Sequence, residues 1–278
     1  MVARTFRTAA VFLKREIISA RFFACASICS LFMIFFVYMD YKTDFRGFGL
    51  YYFLQGVEHS GAGNLLLMIV VLPVSTVFCE DWESGMIKFL LPRSGRRNYA
   101  LSLTVTAGFT SGLCMFLAYT IFSIFILIKF PLVPELDDEK IQYLMYSFPN
   151  GTLLTNGHEI LCYFLYFLTR STMAALFGAL AVFQSVVITN KRFAVISPVI
   201  MESFLSVITR VLKLPSYLDP IILFNNHLAL YKDLGGSLDN VTFSPLAAFY
   251  PTIYCCLSLT IIALCVSLLV KIKVGNKI

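Results

Sequence analysis

Few side chains in this chain could do chemistry, and their spacing argues against an enzyme's centre. His59, His158 and His227 stand far apart, whereas zinc-dependent hydrolysis needs two histidines one helical turn apart with a glutamate beside them. No Gly-Lys-Ser or Gly-Lys-Thr occurs, so no loop can cradle ATP phosphates with successive backbone N–H groups and a lysine. Ser94-Gly95 and Gly61-Ala62-Gly63 lack the strand context of a nucleophile elbow or phosphate loop and read as turns. The eight cysteines, Cys25, Cys29, Cys79, Cys114, Cys162, Cys255, Cys256 and Cys265, lie within or at the ends of apolar blocks. They have no metal or disulfide spacing and read as small packing residues. No catalytic residue, metal site or bound cofactor is expected.

Two charges inside apolar blocks are functional candidates by default, because a charge in hydrocarbon is costly. These are Arg170 and Glu202. Glu202 reads as a polar contact at a subunit interface or cavity, or else as a buried protonated carboxyl. Arg170 either faces the bundle interior or lies at the outer headgroup level, and the headgroup placement is preferred. Helical rise of ~1.5 Å per residue puts the two at different depths. A third candidate is the charged connection from Glu80 to Tyr99. Its acids Glu80, Asp81 and Glu83 come first and Lys88 later, as a helix dipole favours, and Met86, Ile87, Phe89, Leu90 and Leu91 supply an apolar surface that Pro92 ends. This predicts a short interfacial helix. Either it docks a partner, or it lies on the inner leaflet with Arg93, Arg96 and Arg97 on lipid phosphates.

The elements that must position these residues follow from composition. The 278 residues are 58% apolar, 14% charged and 15% aromatic, against roughly 25% charged in an ordinary soluble domain. Apolar blocks run over 22–39, 62–79, 99–128, 158–188, 193–209 and 245–270, and a bilayer core takes about 20 residues per helix. The expectation is a single all-α transmembrane domain, 1–278, with six spans. The first block follows a basic segment bearing Arg4, Arg7, Lys14, Arg15 and Arg21, has no small-residue cleavage site after it, and reads as a permanent helix. With both termini cytoplasmic, fourteen of the 22 Lys and Arg fall in inner segments and seven in outer ones, as the positive-inside rule requires. The net charge of +6 therefore reports topology, and no nucleic-acid partner is inferred. The longest stretch between spans, 210–244, is shorter than the ~50 residues of a self-standing domain. Soluble activity must come from another chain.

The segment Glu80 to Asn98, with its acidic start, Gly85, apolar half-turn, Pro92 and Ser94-Gly95-Arg96-Arg97 leading into the third of six spans, resembles the coupling loop of the type-2 ATP-binding-cassette (ABC) permease family. The resemblance extends to both termini inside, the basic amphipathic segment from Arg4 to Arg21, and a long outer loop before the last span containing Asp219-Pro220. Ser102 departs from it, standing near where many members have Lys. The resemblance implies a dimeric membrane subunit, paired with a second copy or a homologous permease. It also implies a separate ATPase chain that binds ATP and Mg and receives the loop in a groove. An exporter of an amphipathic peptide or lipid-like substrate is the first reading. A membrane-embedded enzyme or accessory protein without an ATPase, and an importer subunit, are the alternatives.

Gly108 and Gly112 form a GxxxG pair, and Ser171, Ala175 and Ala179, with Ala174 and Gly178, form a small-residue stripe, both read as helix-packing positions. Segment 216–234 is apolar but interrupted by Asn225-Asn226-His227, and reads as an outer re-entrant or interfacial helix. Asn150-Gly151-Thr152 and Asn240-Val241-Thr242 match glycosylation acceptors.

Overall fold

The computed structural model describes residues 2–40, 49–59, 63–133, 150–213, 215, 217–218 and 244–275. They form helices α1 (Val2–Ile17), α2 (Ala20–Asp40), α3 (Leu50–His59), α4 (Gly63–Ser75), α5 (Val77–Glu83), α6 (Ile87–Ser94), α7 (Arg96–Leu127), α8 (Gly151–Thr155), α9 (Glu159–Val187), α10 (Lys191–Leu212) and α11 (Pro245–Gly275), with no strand among the described residues. Six stretches are long and apolar enough to cross a membrane: Ala20–Met39, Leu65–Glu83, Arg96–Leu127, Glu159–Val187, Lys191–Thr209 and Pro245–Lys273. The protein is an all-helical chain with six candidate membrane spans.

The long helices α7 and α9 pair along the centre, and α7 also touches α1, α2, α4 and α11. Without a hydrophobic difference between lipid and side chain, such pairs depend on close backbone approach. The small residues supply it. A Cβ on Gly108 would lie 3.3 Å from the Ala175 carbonyl, one on Gly112 would lie 3.0 Å from that of Ser171, and one on Gly178 would lie 2.9 Å from that of Ala107. The fifth and sixth spans are the least enclosed, with 24% and 22% of their apolar stretch buried against 61% for the second. Exposed side chains such as Phe204, Leu257, Ile261 and Leu268 belong against lipid or another membrane chain.

The chain departs from the expected elements in three places. The second span breaks at Thr76, one turn after Pro73, so that α5 is a separate seven-residue segment. Helix α6 does not end at Pro92 but runs to Ser94, and Gly95 at φ +80° ends it. Proline removes one helical donor and clashes locally, whereas a residue with positive φ reverses the chain, which glycine does without strain. The stretch 40–61, which separates the first two apolar blocks, contains α3. Its Leu50, Tyr51, Phe53, Leu54, Gln55 and Val57 are all buried. Ten residues rise only ~15 Å, so α3 enters the bundle without crossing it. The expected outer helix in 216–234 lies outside the described residues except for Tyr217 and Leu218. Asn150 is 4% exposed, which closes it to a glycosylating enzyme in this fold.

Candidate functional site

One end of the bundle gathers the charged residues around α5. Glu80 Oε1 accepts from Arg21 Nη1 at 2.9 Å and from Thr76 Oγ1 at 3.0 Å. Asp81, only 5% exposed, accepts from Tyr99 OH at 2.9 Å and from Arg15 Nη1 at 3.5 Å. Glu83 pairs with Lys191 at 2.8 Å. Beside them Lys273 lies 5.3 Å from the Trp82 ring centre and donates to the Val186 carbonyl at 2.6 Å, near the C-terminal end of α9. A cation there meets the negative end of a helix dipole. Three acids, Glu80, Asp81 and Glu83, thus tie α5 to the α1–α2 elbow, to the start of α7 and to the start of α10.

These contacts differ in weight. The Arg21–Glu80 and Lys191–Glu83 pairs are largely exposed, and water and salt screen such pairs so that they add little to stability. Asp81 is enclosed, so its hydrogen bonds from Tyr99 and Arg15 offset a real desolvation cost. Burial by itself would lower the Arg15 pKa, but the carboxylates of Glu16 and Asp81 outweigh it and hold the guanidinium above its ordinary value. The three acids read as the charged start of the interfacial helix are therefore engaged within the chain.

What remains outward is α6. Gly85 at φ +72° turns the chain out of α5. Met86 and Phe89 are 47% and 65% exposed, while Ile87 and Leu91 are buried in the core. Leu90 is half-buried and Arg93 exposed. The apolar surface expected from Met86 to Leu91 is thus split by helical geometry: at 3.6 residues per turn one side roots the helix and the other stays free. Ile87 belongs to the root.

The second cluster lies towards the opposite end. Arg170 is not a headgroup anchor: it is 6% exposed and forms an ion pair with Glu58 of α3. Tyr166 OH donates to the same carboxylate oxygen, and the guanidinium stands 5.4 Å from the Tyr166 ring centre. Tyr119 packs edge-on to Tyr166 at 5.7 Å and stacks on Phe167. By helical rise Arg170 lies ~17 Å from the start of α9. Sequence reasoning missed Glu58, and the signal was the apolar run Leu50 to Val57 in front of it. Glu202 is not its partner. It stands half-buried on the weakly enclosed α10.

Among the described residues no group of three or more His, Cys, Asp or Glu is placed to hold a metal. Comparison with protein-family models, curated proteins and solved structures finds no match.

Proposed function

We propose that the chain is the membrane-spanning permease subunit of an ABC exporter, with both termini and α6 in the cytoplasm and the chemistry on a separate ATPase that binds ATP and Mg. The observation that carries this reading is α6 itself. It is a short helix between the second and third spans, anchored by Ile87 and Leu91, with Met86 and Phe89 bare beside Arg93. A permease whose ATPase is a separate chain must receive force through a small contact, and α6 adjoins an α5 bonded to three other parts of the bundle. The meeting of Arg15, Arg21, Lys191 and Lys273 at that end agrees with a cytoplasmic face under the positive-inside rule. The active unit is a pair of permease copies or homologues, joined through weakly enclosed spans. Six apolar spans with few ionisable groups favour an amphipathic peptide or lipid-like substrate.

Met86→Asp/Phe89→Asp should insert and melt like the wild type, since both side chains are already exposed. The same protein should lose about tenfold or more in capture of its ATPase, as expected for an apolar anchor at the centre of an interface. Ile87→Asp is the control that should instead damage folding, because it places a carboxylate in the core. Unchanged ATPase capture and transport in the double variant would leave α6 as a leaflet helix and remove the reading's main support.

Topology is checked separately. In a cysteine-depleted background, an impermeant thiol reagent should reach Asp138→Cys and Gly236→Cys from outside and Ser94→Cys only after the membrane is opened. Outside labelling at Ser94→Cys would invert the arrangement.

A further inference from the structure

Helix α1 has two unlike faces. Ala9, Phe12 and Glu16, spaced three and four apart, are buried; Phe12 meets Tyr99 edge-on at 5.9 Å and the Ala9 carbonyl accepts from Thr106 Oγ1 at 3.5 Å. The other face carries Val11 and Ile18, 65% and 66% exposed, with Lys14 and Arg15 between them. At the elbow with α2 these four residues and Ser19 line an open groove of about 390 Å³. The elbow is braced, since Ser19 Oγ donates to the Glu16 carbonyl at 2.6 Å and accepts from the Phe22 N–H at 3.2 Å. Lys14 makes no ion pair among the described residues.

Lys14, with the half-exposed Arg15 that also pairs with Glu16 at 2.7 Å and Asp81 at 3.5 Å, set over two bare aliphatic side chains on a chain with six membrane-length helices, complements one kind of molecule. A phosphate would meet Lys14 and Arg15, and the glycerol and first methylenes behind it would cover Val11 and Ile18. A free anion would leave the aliphatic pair in water, and a zwitterionic headgroup would bring its own cation against Lys14. We propose that this groove seats one anionic phospholipid from the adjoining leaflet. The seat also touches the α5 cluster, because Arg15 bonds Asp81 as well. The proposal rests on the geometry of α1 and stands whether or not the chain serves a transporter.

The test titrates the purified full chain, in mild detergent, with phosphatidylglycerol or phosphatidylcholine. Retained lipid is read by native mass spectrometry and melting by intrinsic fluorescence. Phosphatidylglycerol should remain bound and raise the melting temperature more than phosphatidylcholine does. A basic residue near an anionic surface is worth about fivefold in affinity, so Lys14→Gln should weaken retention about fivefold and Lys14→Glu about thirtyfold. Ile18→Ser should weaken it about tenfold through methylenes left uncovered. All three should melt like the wild type in phosphatidylcholine alone; should Lys14→Glu fail to fold, the uncharged Lys14→Gln decides. Equal protection by phosphatidylcholine, or unchanged retention in Lys14→Gln and Ile18→Ser, overturns the proposal. Equal protection by inorganic phosphate or glycerophosphoglycerol overturns it in favour of a soluble anion.

Discussion

Arg170→Met is expected to be among the most damaging single substitutions in this chain, because it strands the Glu58 carboxylate among apolar and aromatic side chains. The arginine and glutamate are 7% and 21% exposed in their side chains, and removing one member of a buried pair costs about 3–5 kcal/mol. The loss should appear as a melting temperature lowered by many degrees and reduced yield of folded protein in detergent. Arg170→Lys should lie between, since an ammonium keeps the charge but loses the planar fork and its stacking on Tyr166. The informative variant is Glu58→Leu/Arg170→Met. Replacing both charges by apolar groups of similar volume is often neutral or stabilising, so the double variant should recover most of what Arg170→Met loses. A purely steric role for Arg170 would show no such recovery. If Arg170→Met melts with the wild type, the ion pair is not what holds α3 in the bundle.

Gly178→Leu is expected to have the other large effect. The new Cβ would approach the Ala107 carbonyl at 2.9 Å and the Ser111 side chain more closely still. Backbone cannot rotate away, so α7 and α9 must separate. Overpacking costs about 1–3 kcal/mol where side chains can yield, and more where they cannot. Gly112→Ile should behave similarly, since its Cβ meets the Ser171 carbonyl at 3.0 Å. Gly108→Ala should be milder: its first obstacle at 3.1 Å is the end of the Leu259 side chain, which can move. The order Gly178→Leu, then Gly112→Ile, then Gly108→Ala, from most to least damaging, is read from melting temperatures. Ser111→Ala should restore only part of the stability lost in Gly178→Ala, because it removes the Oγ but leaves the Cβ of residue 111 at 2.8 Å and the Ala107 carbonyl at 2.9 Å. If Gly178→Leu leaves both melting and yield unchanged, the approach of α7 and α9 is not the constraint drawn from their spacing.

The six spans are legible in the sequence because hydropathy is local: each block declares itself without reference to any other. The same holds for the split of Lys and Arg between loops, for the absence of a nucleotide loop, and for the small residues at Gly108, Gly112, Ala175 and Gly178. What tertiary structure decided is who meets whom. Glu58 and Tyr166 are 108 positions apart and Arg15 and Asp81 are 66 apart, and no local pattern encodes such pairings. That is why Arg170 could be read as a headgroup anchor, and the acids of α5 only as the charged start of an interfacial helix, until folding brought their partners to them. Helix α3 was hidden for a related reason. A ten-residue helix is too short to cross a bilayer, and the burial of its apolar side chains exists only because α2, α7 and the Arg170 side chain of α9 provide something to pack against. Met86, Ile87, Phe89, Leu90 and Leu91 read as one apolar surface in sequence, but a helix distributes successive residues around its axis, and only the packed bundle determines that Ile87 turns inward while Phe89 turns out.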